Sequence, residues 1–125
     1  MKAVLLTLIL TVGLSAQTPS LSHVERFSTP EYRAAKLEKE LTEKLSKDPN
    51  NASLLNERAL AKSRMQKFAE ALPDLETAVR LDPTKSDYLA NLGYVQWKLG
   101  LYDKAISSER AALQLNPNNF TANYQ

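Results

Sequence analysis

The chain has 125 residues, with 16 Lys+Arg against 14 Asp+Glu for a net charge of +2, and no cysteine. The near balance of charge excludes a basic nucleic-acid stripe, and the missing cysteine excludes disulfides, thiolate metal sites and cysteine nucleophiles. Three glycines and 7% aromatic residues leave a core of Leu and Ala in one small all-α domain, without the turn residues of a β-sandwich.

Met1-Lys2 supplies a short positive start, Ala3 to Leu14 an apolar run, and Leu14-Ser15-Ala16 a small-residue exit. That order describes a secretory signal peptide over residues 1–16, cut between Ala16 and Gln17. The apolar run of about 12 residues is short of the roughly 20 that span a bilayer. The alternatives are an N-terminal anchor or a buried core helix. The expected mature chain is exported, periplasmic or secreted, with no membrane span. Residues 17–28 read as a polar, irregular linker, and His23, the sole histidine, reads as a solvated side chain.

Thr29-Pro30-Glu31 is a helix start: a capping hydroxyl, a proline suited to the first helical position, and an acid at the positive end of the dipole. Ala34, Leu37, Leu41 and Leu45 then share one helical face over residues 29–47. Glu40 with Lys44 and Glu43 with Lys47 are expected i,i+4 pairs on the solvated side. Asp48-Pro49 stops the helix, because the residue before proline is pushed out of the α region.

Pro49, Pro83 and Pro117 lie 34 residues apart, each following Asp or Asn, and this fixed period marks a solenoid. The units run over 52–85 and 86–119, each a helix pair. Leu55, Ala59 and Met65 belong to one helix of the first unit, with Ala71, Leu72, Leu75, Ala78 and Val79 on the next. Leu89, Leu92 and Leu99 pair with Ala105, Ile106, Ala112 and Leu113 in the second. Small residues recur at equivalent places, Ala59 and Gly93, Ala71 and Ala105, Ala78 and Ala112, where they let two antiparallel helices approach closely.

This pattern resembles the tetratricopeptide repeat. The second unit matches that family's large and small positions with Leu89, Leu92, Gly93, Ala105, Ala112 and Pro117, and the first with Leu55, Ala59, Ala71, Leu75, Ala78 and Pro83. The resemblance implies a helix–turn–helix solenoid of two clear repeats plus one N-terminal helix, which is either a decayed repeat or a cover for the first. Residues 120–125 restart the pattern as an incomplete third repeat, read either as a short tail or as the mark of a truncated chain.

Four departures stand out. Arg58 takes a position usually apolar, with a stem that can pack while its charge reaches solvent. Gln66 sits where the second unit has Gly100, and a left-handed turn there would cost it about 1–2 kcal/mol. Pro73 falls near the start of its helix, where a missing N–H is tolerated. Glu109 replaces a large apolar contact and is expected to be partly solvated. Asn51-Ala52-Ser53 and Asn119-Phe120-Thr121 match the glycosylation sequon but are better explained as helix caps.

The resemblance implies a concave groove lined by first helices, facing it with Ser53, Asn56, Glu57, Leu60, Ser63 and Arg64, then Asp87, Ala90, Asn91, Tyr94, Trp97 and Lys98. Tyr94 and Trp97 form an aromatic shelf there, with charge from Arg64 and Lys98, or else Trp97 packs on the adjacent helix. The family's carboxylate-clamp subtype needs Lys and Asn where this chain has Asn56 and Leu60. It also needs Asn where Asn91 stands and basic residues where Thr121 and Gln125 stand. A clamp-type acidic C-terminal peptide is therefore not the expected partner. No catalytic, cofactor-binding or metal-ligating constellation stands out. The expected function is a non-enzymatic scaffold or adaptor holding a protein or peptide. The alternatives are the N-terminal part of a longer repeat protein, or a helical accessory segment of an enzyme.

Overall fold

A computed structural model describes residues 29–119 as five α-helices: α1 Pro30–Lys47, α2 Ala52–Arg64, α3 Phe68–Leu81, α4 Ser86–Lys98 and α5 Tyr102–Leu115. The expected signal segment 1–16 with its Ala16–Gln17 cut, the stretch 17–28 and residues 120–125 lie outside the described residues. There is no strand among the described residues.

The helix ends follow from local chemistry. Thr29 caps α1 by accepting the Tyr32 N–H at 3.1 Å, and Asn51 caps α2 by accepting the Leu54 N–H at 3.0 Å. That second cap accounts for one sequon. Asp48, Asp82 and Asn116 close α1, α3 and α5, each donating its N–H to the carbonyl four residues back, and the proline after each blocks continuation. The turns inside the two units are of another kind. Gln66 and Gly100 both have positive φ, 59° and 76°. Around them the Lys67 N–H donates to the Lys62 carbonyl and the Leu101 N–H to the Gln96 carbonyl, each at 2.9 Å. This 6→1 bond beyond a left-handed residue is the Schellman stop. The strain foreseen at Gln66 is thus present.

Within each unit the helices meet through small residues. Ala59, Ala71, Ala78 and Ala112 are fully buried. Gly93 lies so close to α5 that a Cβ there would stand 2.8 Å from Glu109 Cγ and 3.3 Å from the Ala105 carbonyl oxygen. Between the units, Phe68, Leu72, Leu75 and Val79 of α3 pack on Leu92, Tyr94, Val95 and Leu99. A second cluster joins Leu45 of α1, Leu55 of α2 and Ala78 of α3. On α1, Ala34, Leu41 and Leu45 are buried and Leu37 half-buried, as the helical spacing requires.

Three local expectations change. The pairs Glu40–Lys44 and Glu43–Lys47 do not close. Among the described residues the ion pair that α1 makes is Glu38 with Lys67, at 3.6 Å, because exposed i,i+4 pairs gain too little to fix two long side chains. Pro73 is the sixth residue of α3, beyond the free first turn, so the Ala69 carbonyl has no helical donor there; both residues are exposed to water. The Arg58 charge is not simply solvated, because a carboxylate on α3 pairs with it while the side chain stays partly exposed.

Candidate functional site

α2 and α4 are the first helices of their units and lie side by side. Asn91 Nδ2 donates to Asn56 Oδ1 at 2.9 Å and ties them together. Arg64 and Lys98 occupy equivalent positions in the last turns of these helices, both exposed. Cations there also complement the negative helix ends.

The aromatic residues separate in role. Tyr94 is half-buried and meets Phe68 edge-on, with ring centroids 6.0 Å apart and planes at 77°. Trp97 is 49% exposed, so its ring is not packed away entirely. The Lys98 ammonium lies 4.8 Å from the centroid of Trp97 and 5.5 Å from that of Tyr94. One cation thus bridges two rings by cation–π attraction. Leu60 is half-buried, and Ser63 donates back to the Ala59 carbonyl at 2.8 Å. Ser53 and Glu57 bond each other along α2. Asp87 accepts from Asn119 Nδ2 at 3.1 Å, and the same amide donates to Ser86. Ala90 leaves the expected set: it is fully buried against Ala112, Leu89 and Leu113, since its helix turns that residue toward α5.

Sequence reasoning missed a buried ionic network beside this face. Arg58 donates through Nε and Nη2 to the two carboxylate oxygens of Asp74, at 2.8 and 2.7 Å, and through Nη1 to Thr42 Oγ1 at 3.4 Å. Lys62 Nζ donates to Asp74 Oδ2 at 2.9 Å and to the Glu70 carbonyl at 3.3 Å. Burial by itself raises the Asp74 carboxyl, and the hydrogen bonds from Arg58 and Lys62 outweigh it, holding that group below its ordinary value. The same bond raises Arg58. The available signal was an acid on the inward face of α3, 16 residues from an arginine and 12 from a lysine. Its second-unit counterpart is neutral: Ser108 Oγ donates to Gln96 Oε1 at 2.7 Å. Glu109 is partly solvated as expected, and its burial pushes the carboxyl up.

Among the described residues no cluster of three or more His, Cys, Asp or Glu could hold a metal ion, and no helix is long and apolar enough to cross a membrane. The face is shaped for contact through charge, amide and aromatic groups.

Known proteins resemble this arrangement. Over 95 residues the chain is 34% identical to Hsp70-Hsp90 organizing protein 1 of Glycine max, a match covering 76% of this chain and 16% of that protein. Among solved structures, the first tetratricopeptide-repeat domain of Spaghetti (RPAP3) bound to the HSP90 peptide SRMEEVD superposes with a TM-score of 0.65. Its identity is 28%, covering 76% of this chain and 82% of the other. The second such domain of human RPAP3, in complex with the HSP70 peptide SGPTIEEVD, gives 0.64 at 29% identity, covering 76% and 87%.

These relatives overturn two expectations. The similar proteins are named for organizing Hsp70 and Hsp90, so the expected periplasmic or secreted location does not stand. An apolar N-terminal run is a compositional signal and does not by itself record a cut at Ala16–Gln17. The exclusion of clamp-type peptides also falls, because solved chains of this fold hold peptides ending in EEVD. Asn56 and Leu60 remain departures from the clamp pattern at those positions, but the same two helices carry the exposed cations Arg64 and Lys98. The similar proteins are chaperone-organizing or peptide-bound chains, which supports a binding module over an enzyme. The tetratricopeptide-repeat family profile matches residues 56–120, more than half of the chain. With the 34-residue period, the paired helices and the close approaches at Ala59 and Gly93, that match establishes that the chain belongs to the tetratricopeptide-repeat family.

Proposed function

We propose that this chain is a non-enzymatic adaptor module that holds an extended acidic peptide of another protein along α2 and α4. The observation that carries the reading is the pair of equivalent exposed cations, Arg64 on α2 and Lys98 on α4, the second of them 4.8 Å from the half-exposed indole of Trp97. The two cations supply charge-assisted bonds to carboxylates. Trp97 offers an apolar platform for an aliphatic side chain, and Arg and Trp are common anchors of interfaces. Asn56 and Asn91 bond each other once, which leaves the Asn56 amide and the Asn91 carbonyl for a peptide backbone. Peptides ending in EEVD, bound by the similar domains, are the ligand class this chemistry suits.

Trp97 is the only tryptophan, so its emission reports on the face directly. A titration with SRMEEVD is expected to give a saturable change that weakens as salt rises. In fluorescence anisotropy with the labelled peptide, Arg64→Ala and Lys98→Ala are each expected to weaken binding about tenfold, the size of one charged hydrogen bond. A neutral scrambled peptide binding equally well would sink the reading, and so would retention of full affinity in the double variant.

A further inference from the structure

A third cation stands at the edge of the face that α2 and α4 present, and it belongs to α1. α1 packs on α2, α2 also meets α4, and no contact joins α1 to α4, so the three helices lie in a row with α2 in the middle. The first turn of α1 comes beside the last turn of α2. Arg33 and Arg64 line one cleft of about 320 Å³ together with Pro30, Ala34 and Leu37. A second cleft, on which Arg64 also borders, lies between Tyr32 of α1 and Met65. Lys98 ends α4 where Arg64 ends α2. Arg33, Arg64 and Lys98 therefore form a line across one edge of three successive helices. All three are exposed, and no ion pair closes on any of them among the described residues. Glu31, the acid of the second cleft, pairs with neither arginine.

The spacing of this line selects a ligand. Packed helices stand about 8–10 Å apart. A peptide in the extended polyproline II form has three residues per turn and advances about 9 Å with each turn. Side chains at every third position then line one face at the spacing of successive helices. The peptides SRMEEVD and SGPTIEEVD, held by the similar domains, both place a glutamate three residues before the final aspartate. That pair matches two of the three cations.

From this we infer that Arg33 is a further binding residue, and that the preferred partner is an extended peptide with carboxylates at every third position. The last carboxylate sits on Lys98, the middle one on Arg64, and a third, three residues upstream, on Arg33. The inference rests on the adaptor reading and adds to it a register and a direction. The valine before the final acid comes next to Trp97 in this register. SRMEEVD has serine at the upstream position, so it engages two cations and leaves Arg33 unused.

The test follows Trp97 emission as three N-acetylated peptides, SRMEEVD, ERMEEVD and SREEEVD, bind the full chain. The last two carry equal charge, with the added glutamate in register in ERMEEVD and out of it in SREEEVD. ERMEEVD is expected to bind about fivefold more tightly than SRMEEVD, the size of one good solvent-exposed ion pair, and SREEEVD to gain less than about twofold. Arg33→Ala is expected to return ERMEEVD to the affinity of SRMEEVD, while SRMEEVD binding and the helical circular dichroism stay unchanged. Arg33→Lys should keep most of the gain. A gain that survives Arg33→Ala overturns the inference, as does an equal gain for SREEEVD, which would reduce the effect to net charge. Either result, with SRMEEVD still bound, leaves the adaptor reading standing. No binding of SRMEEVD or ERMEEVD overturns both.

Discussion

The units α2–α3 and α4–α5 repeat the same backbone plan and differ in what joins their helices. In the first, three ionised side chains meet: Asp74 between Arg58 and Lys62, with the carboxylate 8% exposed. In the second, the equivalent positions hold Ser108, Leu92 and Gln96, and one neutral bond of 2.7 Å replaces the network. The turn differs too, with strained Gln66 against unstrained Gly100. So does the close approach, where Ala59 with Leu75 becomes Gly93 with Glu109. The fold tolerates both solutions because its geometry rests on the turn, the small contact residues and the proline stop. The buried polar positions need only be internally satisfied.

Removing the charge that the first unit depends on gives the largest effect. Asp74→Ala leaves two half-buried cations without their shared anion, and is expected to lower stability by about 3 kcal/mol in urea unfolding. A loss below about 1 kcal/mol would show that the cations reorient to water. Next comes the turn. Gln66→Gly is expected to add about 1 kcal/mol by removing left-handed strain at an exposed site, and Gly100→Ala to remove a similar amount. Space is not the cause at Gly100, since no atom lies within 4 Å of an added Cβ. Equal and negligible effects at both turns would break the comparison.

The smallest stability change is expected where most residues are exchanged. Placing the second unit's trio in the first, as Arg58→Leu, Lys62→Gln and Asp74→Ser together, should leave stability within about 1 kcal/mol, because desolvation offsets most of the ionic attraction. That variant should also lose an acid sensitivity of the parent. The folded Asp74 carboxyl lies below its ordinary 3.8, so its stabilisation is complete above that pH and is lost as pH falls through the lower folded value. Melting curves between neutral pH and the region below 3.8 should fall more steeply for the parent than for the triple variant. Parallel curves would mean that the network contributes no titrating stability.

Much of this was legible because it depends on neighbours in sequence. The prolines at 49, 83 and 117 are stops wherever the chain goes. Thr29 and Asn51 cap because their side chains reach N–H groups three residues on. The strain at Gln66 was legible through its alignment with Gly100. The rest depended on which residues meet across space. Arg58 looked like a snorkelling side chain until α3 brought Asp74 to it. Ala90 looked groove-facing until α5 covered it. Trp97 had two open readings, and only the packed helices leave its ring half-exposed beneath Lys98.

The sequence by itself determined the period, the helix limits, the small-residue contacts and the family, since each follows from local backbone chemistry or from spacing along one helix face. The tertiary structure alone decided that Asp74 would bind two cations, that Asn56 and Asn91 would join the two first helices, and that the apolar side chains of α5 would remain exposed. These depend on the relative placement of whole helices, and free energies of pairing and burial exist only once that placement brings distant residues within a few ångströms.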